Sequence, residues 1–217
     1  MNTTQYPTTG VLFDLDGVLL DSEGQYTIFW DAIDKAYPTH VPNFAQVIKG
    51  SNLAAIINTY FKPELRDEIV AKLAELQHDM RYEFFPYAQE FLQQLHGAGI
   101  KMCIVTSSDQ KKMDAVYEQH PGFRELFDDV IVGEMVHRAK PDPECYLLGA
   151  SKLGLNIKDC YVFEDSINGL KAGMASGATV IGLATTNSRE ALQGKAQLII
   201  DNFKDFTVSK MLSVKRQ

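Results

Sequence analysis

Residues 11–22 read VLFDLDGVLLDS, an apolar run that ends in acid. Val11–Phe13 has the composition of a buried strand, and Asp14, Asp16 and Asp21 follow it within eight positions. Like charges repel and resist leaving water, so carboxylates gathered at the edge of a core call for a compensating cation or a raised pKa. Residues i and i+2 of a strand share a side, which lets Asp14 and Asp16 face one ligand. Gly17 then allows the backbone to turn sharply.

The same strand type recurs as IKMCIVT at 100–106, DVIVG at 129–133, CYVFED at 160–165 and ATVIGL at 178–183. Helical patterns lie between them. Ala88, Phe91, Leu92 and Leu95 fall at i, i+3, i+4 and i+7, and Tyr146, Ala150 and Leu153 share one face of a helix that Gly154 stops. Strands alternating with helices predict an α/β fold with a mainly parallel sheet. Between Ser22 and about Phe85 the alternation breaks. Helical spacing joins Leu65, Ile69, Leu73, Leu76 and Met80, and Ser22 with Gln25 three residues on resembles a capping box. A helical insertion after the first strand is therefore expected. Gly169, Gly173 and Gly177 recur every four residues, a spacing that suits close packing of a helix on the sheet.

The chain has 217 residues, is 45% hydrophobic, and carries seven more acidic than basic residues. That size suits one core domain with a modest insertion, and the acidic excess argues against nucleic acid or an anionic membrane as partner. No stretch approaches the roughly 18 apolar residues of a membrane span. The first ten residues lack the basic and apolar regions of a signal peptide. Three scattered cysteines, 103, 145 and 160, read as reduced thiols, so a cytoplasmic location is expected.

Ligands of open parallel sheets gather beyond the carboxyl ends of the strands. That rule brings together Asp14 and Asp16, Thr106 and Ser107, and Glu164 and Asp165, with Lys140 ahead of PDP. Singly, each has a plainer use. Asp165 or Ser166 suits a helix cap, as do Thr106 and Ser107, and a lysine such as Lys140 is usually solvated. A calcium loop is excluded, since its fifth, sixth and twelfth positions would be Val18, Leu19 and Gln25. Jointly, the residues describe a rim for Mg²⁺ and a phosphoryl group: hard oxygen donors for the ion, hydroxyls and an ammonium for phosphate oxygens. Covalent phosphoryl transfer follows, with one carboxylate as nucleophile. A second carboxyl two residues on, kept protonated part of the time by its neighbours, would serve as acid and base.

Four motifs in order, DLDGVLLDS, IVTSS, KPDPECY and VFEDSINGLKAG, resemble those of the haloacid dehalogenase-like hydrolases across essentially the whole chain. Within that superfamily the chain is similar to the β-phosphoglucomutase and small-phosphatase subgroup. The resemblance implies a Rossmann-like core (1–21 and 86–217) with a helical cap (22–85) inserted after the first strand. It implies Asp14 as nucleophile and Asp16 as general acid/base, with Thr106, Ser107 and Lys140 on the phosphoryl group. It also implies Mg²⁺ held by Asp14, the Asp16 carbonyl and Asp165, with Glu164 a ligand or close support.

The true dehalogenases lack the second aspartate, so dehalogenation is not expected. In the cap, Tyr26 stands where β-phosphoglucomutases have histidine. Lys49–Gly50 echoes their KG signature, and Leu53 replaces the arginine that holds a distal phosphate. Tyr26 and Lys49 are expected to contact substrate. The expected function is a monomeric, Mg²⁺-dependent phosphatase of a small phosphorylated metabolite, a sugar phosphate. A phosphosugar mutase is the alternative, and a non-catalytic phosphate-binding regulatory protein the reading from another class.

Overall fold

The computed structural model describes residues 8–77 and 79–215, so the segment 1–7, read above as no signal peptide, lies outside the described residues. Six strands form one parallel sheet: β1 (Gly10–Phe13), β2 (Lys101–Val105), β3 (Asp129–Ile131), β4 (Cys160–Glu164), β5 (Thr179–Leu183) and β6 (Leu198–Ile200). Their spatial order is β3-β2-β1-β4-β5-β6. β1 is central, with Phe13 paired to Ile104 on one side and Phe163 on the other. The chain order reverses beside β1, which opens a crevice above its carboxyl end. β6 has no counterpart in the sequence reading. Three residues, Leu198–Ile200, are too short a run to announce a strand beside a longer loop.

Ten helices are described: α1 (Glu23–Ala36), α2 (Phe44–Val47), α3 (Leu53–Tyr60), α4 (Arg66–Gln77), α5 (Ala88–Gly97), α6 (Gln110–Gln119), α7 (Glu144–Lys152), α8 (Ile167–Ser176), α9 (Arg189–Leu192) and α10 (Val208–Ser213). Strand side chains alternate between two cores, as a period of two requires. Val11, Phe13, Met102, Ile104 and Phe163 join α5, α6 and α10 on one face. Leu12, Cys103, Val105 and Val162 join α7 and α8 on the other. The near-continuous apolar character of β1, β2 and β4 follows from this double cover.

The glycines spaced four apart in α8 do three different things. A Cβ at Gly173 would meet Val180 and Val162 at 3.0 and 3.1 Å, so it permits the expected close packing on the sheet. One at Gly169 would fall inside the Glu164 carboxylate. Gly177 ends the helix at φ 89°.

Helices α1–α4 surround an apolar centre of their own, in which Trp30, Ile33, Phe44, Ile57, Ile69 and Leu73 meet. Leu76 is only half-buried and Met80 packs in the sheet core, because α4 ends at Gln77 and the expected stripe stops with it. The two strands of chain that connect these helices to the sheet pair with each other, Asp21 N–H donating to Glu83 O (2.8 Å) and Phe85 N–H to Leu19 O (2.9 Å). The capping box is corrected by the structure. Ser22 makes no cap bond to α1 and instead donates to the Asp16 carboxylate. Gln25 turns to the Arg81 backbone, donating to its O at 2.7 Å. A charged acceptor next to Ser22 outcompetes the neutral backbone of its own helix.

Candidate active site

β1 runs one hydrogen bond past its last paired residue, Asp14 N–H donating to Phe163 O (3.0 Å). β2 does the same at Thr106, whose N–H donates to Ile131 O (2.9 Å). Asp14, Thr106 and Asp165 therefore arrive at one rim, beyond adjacent strands. They line a cavity of about 540 Å³ together with Asp16, Ser107, Tyr26 and Lys49. Gly17, at φ 76°, turns the chain beneath them, and a Cβ there would fall inside the Asp165 carboxylate.

Lys140 is 3% exposed and bridges two acids, with Nζ 2.7 Å from both Asp14 Oδ1 and Glu164 Oε1. Burial alone would lower its ammonium, but Asp14 and Glu164 hold it well above the ordinary lysine value. Far from being a solvated lysine, it is the cation that lets β1 and β4 end in acid side by side. Glu164 is fully buried, and both its oxygens are occupied. Oε1 accepts from Lys140 and the Tyr146 hydroxyl (2.8 Å), and Oε2 from the N–H groups of Asp165 and Ser166 and the Ser166 hydroxyl (each 3.0 Å). Ser166 also caps α8 through Gly169 N–H (3.0 Å).

One carboxylate oxygen each of Asp14, Glu164 and Asp165 lies within 4.8 Å of the others. At an effective dielectric of 20, two charges that far apart repel by about 3.5 kcal/mol. Burial, partly offset by Lys140 and reinforced by Glu164, pushes Asp14 up to about 8. Burial, with Glu164, Glu23 and Asp14 around it, pushes Asp165 well above the carboxylate range. Two buried carboxyls thus stay short of compensation beside one already spent on Lys140. A hard divalent ion supplies the missing charge, and all the donors are oxygens, as Mg²⁺ requires. The residues fit such an ion, with Asp14 and Asp165 as the acids available to it and Glu164 in support.

Asp16 departs from expectation. Burial would raise it, but the Lys112 ammonium, with hydrogen bonds from Lys112, Ser22 and Ser108 (2.9 Å), holds it below the usual range. The idea that its neighbours keep it partly protonated is therefore corrected: a lysine that the sequence reading passed over sits on it. Lys112 is 5% exposed and lies 4.4 Å from the Tyr26 ring centroid. In the sequence it is one of two adjacent lysines just inside a helix, with nothing to mark it as turned inward.

Thr106 Oγ1 accepts from Ser108 N–H (3.0 Å), while Asp109, not Thr106 or Ser107, caps α6. Ser107 donates to Gly50 O (3.0 Å), and Asn168 donates to Lys49 O (3.1 Å). The Lys49–Gly50 turn thus rests on the rim through its carbonyls. A Cβ at Gly50, φ 79°, would lie 2.5 Å from Ser166 Oγ. The Lys49 ammonium pairs with Glu23 at 2.8 Å. The loop after β5 was also missed: Thr185 donates to Gly17 O, and Asn187 to Asp165 O (2.9 Å). These are ordinary polar loop residues until the sheet brings them to β1. Cys103 and Cys145 are buried, and burial pushes both thiols up, Cys145 to about 11, so neither is an activated nucleophile.

The family model of the haloacid dehalogenase-like hydrolases matches residues 8–177. Hexitol phosphatase A of Escherichia coli is 30% identical, over 93% of this chain and 94% of that protein. A probable pseudouridine-5'-phosphatase of Drosophila melanogaster is 27% identical over 91% of each. Among solved structures, a putative β-phosphoglucomutase from Bacteroides vulgatus superposes with a TM-score of 0.80 at 26% identity, covering 94% of this chain and 87% of that one. No helix among the described residues is long and apolar enough to cross a membrane.

Proposed function

The chain belongs to the haloacid dehalogenase-like hydrolases and is a phosphohydrolase, and from that premise we propose that it hydrolyses a small phosphorylated metabolite, a sugar phosphate, through an aspartyl-phosphate on Asp14. The observation that carries the reading is the buried Lys140–Asp14 pair (2.7 Å) beside Asp165, where a carboxyl nucleophile lies next to hard oxygen donors for an ion. Residues 1–21 and 86–217 act as the core, and 22–85 as the cap that selects substrate and excludes water.

An Asp14 carboxylate oxygen attacks phosphorus and the phosphorus–alcohol bond breaks. The departing oxygen takes its electron pair and a proton from Asp16. Asp16 then accepts a proton from a water that attacks phosphorus, and the Asp14–phosphorus bond breaks to release inorganic phosphate. Asp16, ionised beside Lys112, is ready for the base step, and the acid step draws on its protonated minority. Thr106, Ser107 and Lys140 orient the phosphoryl oxygens. Mg²⁺, held by Asp14, the Asp16 carbonyl and Asp165, would supply positive charge to those oxygens. The mutase alternative is disfavoured by Lys49, which is engaged with Glu23, and by Leu53, which offers a second phosphate nothing.

With Mg²⁺, β-glucose 1-phosphate or another monoester is expected to yield the alcohol and free phosphate, and with chelator to yield neither. Glucose 6-phosphate as the product would instead show a mutase. A second expectation concerns pH. Asp14 sits near 8 without metal, so below that the ion must displace a proton. Mg²⁺ affinity by calorimetry should strengthen as pH rises from 6 to 8, with Asp165, also raised by burial, adding to the trend. Affinity flat across that range would mean that neither Asp14 nor Asp165 gives up a proton to the ion.

A further inference from the structure

The cavity does not end at the acidic rim. It continues between α1, α3 and α4, where its wall is formed by Trp30, Ile48, Ile57 and Leu73, all buried, and by Val70, which is 40% exposed. At about 540 Å³ it falls in the range of sites that enclose drug-sized ligands, well beyond the room a phosphoryl group needs.

Its charges point in one direction. Seven carboxylates line the cavity against three cations, and each cation already has protein partners. Lys112 is on Asp16 and Lys49 on Glu23. Arg66 donates to Asn58 Oδ1 (2.7 Å), Asn58 O (3.1 Å) and Phe61 O (3.1 Å). A second anionic group would find no cation among the described lining residues that is not already engaged by the protein. Two polar side chains of the lining each spend one amide atom on the protein. Gln77 donates to the Tyr26 hydroxyl (3.3 Å), and Asn52 caps α3 through Ala55 N–H (2.8 Å). A polyhydroxylated chain pressed on this wall would lose water without equal replacement.

We infer that the alcohol released is uncharged and carries a flat apolar or aromatic portion on its sugar, as a nucleoside does. The inference rests on the phosphatase reading above and narrows it: the sugar phosphate end meets the acidic rim, and the apolar portion lies against Trp30, Ile57 and Leu73. Bisphosphates and phosphorylated acids are discriminated against because the lining offers their second anion no free cation.

The test is a comparison of kcat/KM, in Mg²⁺, for uridine 5'-monophosphate, sorbitol 6-phosphate, phosphoglycolate and glucose 1,6-bisphosphate. Uridine 5'-monophosphate is expected to lead each of the others by tenfold or more, and a smaller lead over any of them overturns the inference. A preference for sorbitol 6-phosphate would do so while leaving the phosphatase reading intact. No phosphate from any of the four would sink both. Val70→Asp, a change at a position 40% exposed, should lower the ratio of the first two kcat/KM values about tenfold with the thermal midpoint unmoved. An unchanged ratio would show that the helical wall does not touch the alcohol.

Discussion

Asp14→Asn is expected to lower kcat by at least about 10³-fold, equivalent to ~4 kcal/mol of barrier, with the fold retained. The amide cannot form the phosphoryl ester, and no nearby carboxylate takes its place: Glu164 has both oxygens bonded and Asp16 is fastened to Lys112. The variant should unfold no earlier than the parent in the absence of metal. Burial and Glu164 both work against an ionised Asp14, so a neutral side chain of the same shape removes a cost, while its oxygen still accepts from Lys140. Phosphate release at more than a trace, measured under single-turnover conditions, would show that another group attacks.

Lys140→Ala should damage stability as well as activity. It leaves Asp14 and Glu164, each 2.7 Å from the lost ammonium, buried without a cation, and breaking a buried pair in this way costs about 3–5 kcal/mol. The sign of the pH dependence follows from which state binds protons. Without Lys140 the folded-state Asp14 carboxyl titrates higher still, above its unfolded value. The folded variant therefore takes up protons that the unfolded chain does not, and its deficit should shrink as pH falls from 8 toward 5. Urea unfolding at both pH values measures this, and Mg²⁺ should restore part of the loss at pH 8. A deficit independent of pH would mean that Lys140 contributes packing rather than charge.

Gly169→Ala would displace the same Glu164 carboxylate by sterics rather than charge, which identifies Glu164 as the post on which the rim is built. Its five donors come from three elements: Lys140 before α7, Tyr146 within it, and the turn from β4 into α8. In the sequence Tyr146 reads only as one apolar position of a helix, because a hydroxyl at the far end of a ring leaves no mark on periodicity.

Local sequence determined what depends on period and composition. The unbroken apolar runs Val11–Phe13, Met102–Val105 and Tyr161–Phe163 make strands covered on both faces, and a parallel sheet of such strands must present its carboxyl ends together. The meeting of Asp14, Thr106 and Asp165 was legible for that reason, as were the helical insertion and the carboxyl-terminal stop at Gly154. Tertiary structure alone decided which charge faces which. Lys112 turning inward to Asp16, Ser22 leaving its helix for the same carboxylate, Lys49 pairing with Glu23, and Thr185 and Asn187 bracing Gly17 and Asp165 all join residues distant in the chain or placed there by its turns. Coulomb energy and hydrogen bonding depend on separation in space and on the water excluded between partners. Neither quantity exists in a linear chain until packing has set it.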